Sequence, residues 1–329
     1  MQKITEQLKK RCRRVGQARH LRYLAQQSRL PCSLGYTFKN ALSLCCMLAI
    51  AATLHAEKVD VYLLGGQSNM DGQGSIRELT DKQKVIPQKV YFWHDNQFKP
   101  FVVGAFPTSV TKQPDRFGLE VSFAQKIAGE RPVYLVKFAR GGMPLHHGWH
   151  AGKWIGGEPA PRRANFYPGE SAGDPNIGRL YAGMIERFRA AIEQLKADGH
   201  TPVVNGFLWM QGEQDSKHEV SATEYAQNLK RLRGRIMDDL KLDQLTMAFG
   251  EVCPEPLERF PHRDEIRSDL QSADMNSGSS KAIEQSHLVR IDNCELKRDK
   301  VHHNTAGYYQ LGLNFAKVFE VLNRNNSGN

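Results

Sequence analysis

A chain of 329 residues, 40% hydrophobic and 24% charged, can bury a full core in one large domain or two without disulfide staples. Its formal net charge of +10 points toward nucleic acid, but residues 1–56 hold ten Lys/Arg and a single acid, Glu6, leaving 35 basic against 34 acidic residues beyond. With no basic stripe to follow phosphates, the body is not read as a nucleic-acid binder.

The basic excess sits in a leader. Lys3 to Lys39 is cationic, Ala41 to Leu54 is apolar, and Ala56 precedes the charged Glu57 and Lys58. A basic region, a short apolar run and a terminal small residue read as a signal peptide, with the true start expected downstream of Met1. The run is too short for a confident membrane span. The expectation is a leader over 1–56 and a single domain over 57–329. That protein is exported to the periplasm or beyond, or stays membrane-retained if the leader is not cleaved. No stable membrane partner is expected after cleavage. Four of the six cysteines lie in the leader. Cys253 and Cys294 remain, either paired or separately buried, and no C-x-x-C pattern in the body points to structural zinc.

Val59 to Leu64 is an apolar run broken by Gly65 and Gly66, which suits a buried parallel strand. Gln67, Ser68, Asn69 and Met70 follow immediately, where an open α/β sheet presents its ligand-binding loops. Val90 to Trp93 reads as a short strand and Phe98 to Val103 as its partner. Gly118 to Ala128 has helical spacing, and Val133 to Phe138 is a second buried strand ending at Arg140-Gly141-Gly142. Met143 to Gly178 is a long irregular stretch rich in Gly, Pro, His and Trp; such loops are functional or disordered. Arg179 to Ala197 is an amphipathic helix stopped by Gly199. Val203 to Met210 is a third strand, leading to Gln211-Gly212-Glu213. Ser221 is read as the cap of a helix through Tyr225, Leu229, Leu232 and Ile236. Leu245 to Val252 and His287 to Ile291 are strands, Asp264 to Asp274 and Thr305 to Leu322 are helices, and the polar tail from Asn323 is expected to fray. Alternation of this kind predicts an α/β fold: a three-layer α/β/α sandwich around a flavodoxin-like parallel sheet of about five strands.

In a parallel sheet, Ser68, the Gly141-Gly142 pair, Gln211 with Glu213, and Asp299 with His302 converge on one edge. Acyl transfer needs such a set. A serine hydroxyl attacks poorly unless a base takes its proton. Histidine suits that role near neutral pH, and a carboxylate fixes its tautomer. Amide donors stabilise the oxyanion. Spacing alone does not choose between His302 and His303 as the base. A Ser that merely caps a helix, a solvated Asp and a surface His are the plain alternative.

Taken together, G-Q-S-N-M after a strand, G-G-M-P-L with a following Trp149, W-M-Q-G-E-Q-D and D-K-V-H-H-N resemble the SGNH hydrolases. More narrowly, they resemble the sialate O-acetylesterase and carbohydrate esterase family 6 group, which includes acetylxylan esterases, over about Asp60 to Phe319. The resemblance implies Ser68 as nucleophile, His302 as general base through the D-x-x-H pattern, and Asp299 as its orienting carboxylate. It implies an oxyanion hole from the Ser68 and Gly142 N–H groups with the Gln211 side chain. Gln67, Asn69 and Glu213 are supporting residues. Met143 stands where many members have Ser or Thr. The implied substrate is an acetylated oligo- or polysaccharide, with no cofactor and no metal.

Other features have plain readings beside the functional ones. His146, His147 and His150 lack a known metal-ligand spacing. Trp149, Trp154 and Tyr167 are candidates for a sugar-stacking surface, or else form the loop's own core. The glycine-rich run after Leu64 lacks the Gly-Lys-Ser/Thr ending of a phosphate loop. Two other functions stay open: a non-catalytic carbohydrate-binding protein on the same fold, and a lipase or thioesterase.

Overall fold

The computed structural model describes residues 56–108 and 113–327, with side chains to residue 320. The expected leader falls almost wholly outside them. Residues 56–329 form one compact unit. Among the described residues, no helix is long and apolar enough to cross a membrane.

The centre of the sheet is β1, Lys58–Gly66. Val59, Val61, Leu63 and Leu64 are wholly buried in it. Burial of each such side chain contributes ~1.5–3 kcal/mol, which fixes the strand in the interior. On one side β1 pairs in parallel with β4, Val133–Ala139, with Val61 opposite Tyr134. On the other it pairs with β5, Thr201–Met210, through a register shift between Val61 and Tyr62. The remaining strands are β2 (Val90–His94), β3 (Gln97–Pro100), β6 (Met247–Gly250) and β7 (Ser286–Val289). The order across the sheet is β7-β6-β5-β1-β4-β2-β3.

The sheet has seven strands, where the sequence pattern indicated about five. The additional pair is β2 and β3. A turn at Asp95 and Asn96, both at positive φ, folds β3 back antiparallel on β2. β2 joins β4 through only Val90 to Phe92, so the local sequence carries little sign that this hairpin extends the sheet. β3 stops at Pro100, short of the predicted Val103, after one more bond from the Phe101 N–H to the Val90 carbonyl. β6 likewise spans only Met247–Gly250 of the expected Leu245 to Val252.

Helices cover both faces. Tyr62 points to one side and meets Phe123 and Phe319 edge-on. These belong to α2 (Glu120–Ile127) and the long C-terminal α7 (Thr305–Ser327), which pack on each other. Gly65 points the other way, where an added Cβ would lie 2.9 Å from Met184 of α3 (Arg179–Ala197). α3 buries Met184, Phe188, Ile192 and Leu195 and ends before Gly199, at φ +84°, as its sequence predicts. Next to it run α5 (Tyr225–Leu240) and α6 (Arg263–Ala273). α7 continues to Ser327, past the predicted end at Leu322.

Ser221 does not cap α5. It lies inside a separate short helix, α4 (Glu219–Thr223), whose N-cap is His218. The Ser221 hydroxyl donates to the Asp215 carbonyl and accepts the Trp149 indole N–H, a demand from the tertiary structure that overrides the local cap signal. Cys253 and Cys294 are both free thiols, so of the two sequence readings the unpaired one describes them.

Candidate active site

The chain builds β1, then the strands on one side of it, then those on the other. The carboxyl ends of β1, β4 and β5 therefore meet at the switch point of the sheet, where open α/β folds bind ligands. Gly66 ends β1 at φ +148°, and a Cβ there would lie 2.1 Å from the Met210 carbonyl, so no larger residue fits. Gln67 leads into α1, the single turn Ser68–Asp71.

The predicted residues come together in this corner. His302 Nε2 lies 2.9 Å from Ser68 Oγ, and His302 Nδ1 lies 2.7 Å from Asp299 Oδ2. With the carboxylate accepting at Nδ1, the tautomer leaves Nε2 free to accept the serine proton. Asp299 Oδ1 also accepts the Val301 and His302 backbone N–H groups, at 2.9 Å each. Burial pushes the Asp299 carboxyl up, but these N–H groups and the His302 ring outweigh it and hold it down at about 2. The acid is thus an anion wherever a histidine base is neutral.

His303, the other candidate base, faces inward. It is 1% exposed, stands against Tyr308, and burial pulls its imidazole down to about 4. Asn69 supports the site from below. Its amide donates to Glu213 Oε1 at 2.6 Å and to the Val301 carbonyl at 2.9 Å, and its oxygen accepts the Tyr308 hydroxyl. The nucleophile turn and the Asp299–His302 turn are therefore joined through one buried amide. Glu213 is buried, its carboxyl pushed up by desolvation, and its Oε2 has no hydrogen-bond partner.

Ser68, Gly141, Gly142, Glu213 and His302 line a cleft of ≈ 250 Å³. The Ser68 and Gly142 backbone N–H groups make no hydrogen bond to the described residues, and Gly142 holds a left-handed φ of +68°. Gln211 does not join them. It is wholly buried, and its amide nitrogen is committed to Asp215 Oδ2 at 2.6 Å, Gln67 Oε1 at 3.2 Å and the Met143 carbonyl at 3.3 Å. The Tyr225 hydroxyl donates to Gln211 Oε1, which fixes the amide's orientation.

The residue that sequence reasoning missed is Asp215. Its carboxylate accepts the Leu145 and His146 N–H groups and the Gln211 amide, clamping the loop after Gly142 to the end of β5. Burial pushes its carboxyl up to about 6 against those three donors. The signal was present in W-M-Q-G-E-Q-D, but an acid whose N–H partners at Leu145 and His146 lie some 70 residues away is silent until the loop folds over it.

The long loop from Met143 to Gly178 buries its own aromatic residues in part. Trp149 and Tyr167 are 4% and 1% exposed, and Trp154 stacks on His218 at 3.6 Å. None of the three lines the cleft beside Ser68. His146 has both ring nitrogens committed, Nε2 to Glu224 at 2.8 Å and Nδ1 to the Gly148 N–H at 2.8 Å.

A mostly parallel, seven-stranded α/β/α sheet with its cleft at this switch point is the fold of the SGNH-type esterases. Over residues 58–320 the sequence matches the model of one family within that class. The chain belongs to the carbohydrate esterase, sialic acid-specific acetylesterase family. Among solved structures it resembles a protein from Arabidopsis thaliana at 18% identity and a TM-score of 0.58, covering 80% of this chain and 98% of that one. It resembles NanS at 16% identity and a TM-score of 0.55, with 82% and 99% covered. A carbohydrate acetylesterase from Xanthomonas citri matches at 14% identity and 0.51, with 79% of this chain and 55% of that one covered. At these identities the likeness is one of fold. Among curated proteins, no sequence matches.

Proposed function

We propose that the protein is a carbohydrate O-acetylesterase working through an acyl-enzyme. The observation that carries the reading is the unbroken chain from Ser68 Oγ through His302 to Asp299, with contacts of 2.9 and 2.7 Å. Ser68 attacks the acetyl carbonyl while His302 Nε2 takes its proton. The oxyanion forms against the Ser68 and Gly142 N–H groups, which have no other partner to give up among the described residues. The sugar oxygen leaves with the proton from His302, and the acetyl group stays on Ser68. Water, activated by the same imidazole, then releases acetate and restores the serine. Asp299 holds the ring and stabilises the imidazolium in both steps. Gln211 and Asp215 act at one remove, holding the Gly142 loop in register with Ser68.

Membership in a carbohydrate esterase family supports the sugar ester as substrate. Export, with residues 1–56 removed, is part of the proposal and rests on the leader's composition. The test is acetate release by the full chain from acetylated xylan, O-acetylated sialic acid and an aryl acetate, beside Ser68→Ala and His302→Ala. Loss of release in both variants is expected. A folded protein that binds glycan and releases no acetate from any of them would overturn the reading in favour of a binding protein. Preference for long-chain esters would overturn the substrate class.

A further inference from the structure

The cleft that holds Ser68 also holds two cations. Lys217 follows the clamp residue Asp215 in a short 3₁₀ turn, and Arg259 lies on the loop between β6 and α6. They converge on one buried ring: Lys217 Nζ is 5.3 Å and the Arg259 guanidinium carbon 5.0 Å from the Phe260 centroid. Other cations of this fold do pair with acids, as with Arg267 on Glu251 and the buried Arg235 on Asp239. Among the described residues, neither Lys217 nor Arg259 has a carboxylate within ion-pair distance; the Lys217 ammonium bonds only the Gln214 side-chain oxygen, at 2.9 Å. Desolvation and the neighbouring Arg259 both lower the Lys217 amine, the mark of two like charges held together.

The polar wall beside them offers donors. Gln214 is 3% exposed and lines the cleft; its oxygen is taken by Lys217 and its Nε2 has no partner. Gln67 Oε1 is taken by the Gln211 amide and the Gln214 N–H, and Gln73 Oε1 by Lys297. A buried amide donor without an acceptor costs about 1–3 kcal/mol. The one acid on the wall, Glu213, is shifted toward its neutral form by burial, which lessens its repulsion of an anion.

We propose that Lys217, Arg259 and the Gln214 amide form an anion-recognising subsite beside Ser68 that takes a carboxylate on the sugar carrying the acetyl ester. The family's description names an acidic sugar but no residue that reads its acid; the cleft supplies three. Charge-assisted hydrogen bonds to a carboxylate provide the discrimination, and the guanidinium supplies a two-pronged donor. The inference rests on the esterase reading, since the subsite is defined relative to Ser68.

The test measures acetate release by the full chain from O-acetylated sialic acid, an acetylated uronic acid and a neutral acetylated xylo-oligosaccharide. Each acid is compared with its carboxyl methyl ester. Wild type is expected to favour the free acid over its methyl ester by roughly 10- to 100-fold in kcat/KM, mostly through KM. Rising salt should erode that preference. Lys217→Met/Arg259→Met should bring the ratio to within about threefold of unity, and Arg259→Glu should favour the methyl ester. The two acids separate a nonulosonic from a uronic source of the carboxylate. Equal rates on acid and methyl ester in wild type, or a preference that survives the double variant, would overturn the subsite. If wild type fails even on an aryl acetate, the esterase reading falls instead. If the double variant does not fold, the exposed single change Arg259→Gln is read by the same ratio.

Discussion

Lys137 is the only charged residue of β4 and is 1% exposed. Its ammonium reaches Glu120 Oε2 at 3.0 Å and the Asp71 carbonyl at 2.9 Å. Glu120, wholly buried, also accepts the Thr108 hydroxyl and the Gly118 N–H through Oε1. Lys137→Met keeps the aliphatic stem and removes the charge. Glu120 is then a buried carboxylate with no cation, and the Asp71 carbonyl at the end of the Ser68 turn loses its donor. Breaking a buried pair from one side costs about 3–5 kcal/mol, against about 1 kcal/mol for the change in packing. For a domain of this size each kcal/mol moves Tm by roughly 2–4 °C, so a fall of about 6–20 °C is expected. The assay is calorimetric and urea unfolding of wild type, Lys137→Met, Glu120→Gln and the double variant. Glutamine still accepts from Thr108 and Gly118 without carrying a charge, so the double variant should recover about 2 kcal/mol or more of the summed single losses. A single-variant loss under about 1 kcal/mol, or strictly additive losses, would refute the reasoning.

Asp299→Asn should lower kcat roughly 10³–10⁴-fold with little change in KM, since the amide no longer fixes the His302 tautomer; a loss under tenfold would remove Asp299 from the mechanism. His303 titrates at about 4 folded against 6.5 unfolded, so the unfolded chain binds the proton first and stability falls as pH drops through that window. The contribution is about 3 kcal/mol, and His303→Asn should flatten the slope of stability against pH between those values. Asp215→Ala leaves two backbone N–H groups without acceptors and removes the shortest bond of the Gln211 amide; a stability loss of about 3 kcal/mol or more and a lower kcat are expected, read by unfolding and aryl acetate turnover. Trp154→Ala removes a stack on His218 outside the cleft, so kcat/KM on acetylated sugars should stay within about threefold while Tm falls; a larger kinetic loss would return Trp154 to the binding surface.

The strands of the core were legible because β1, β4 and β5 are buried on both faces and read as apolar runs. The β2–β3 hairpin was read as a strand and its partner, but its place at the edge of the same sheet was not, since β2 joins β4 through three residues only. Ser68, His302 and Asp299 were readable as a set because each follows a strand or opens a helix, and the resemblance chose His302 over His303. The structure separates those two histidines by burial, a property that adjacent positions in a sequence do not display. Gln211 was placed by analogy at the oxyanion, and its commitment to Asp215 depends on a carboxylate four residues on that only the folded turn brings round. For Trp149 and Tyr167 a binding surface and a loop core both stayed open, because aromatic residues in a long loop look alike whether they face solvent or one another.

Ser68 and His302 stand 234 positions apart, and the Asp299–His302 pair is held on a single local turn. That turn is seated by Asn69 and by the α7 residue Tyr308. During synthesis the ribosome therefore releases the serine 234 residues ahead of the histidine. Over that interval a nascent chain carries its hydroxyl without His302 to activate it. Turnover begins only when α7 has emerged and docked, so ribosome-bound chains stalled before residue 302 should be inert toward an aryl acetate.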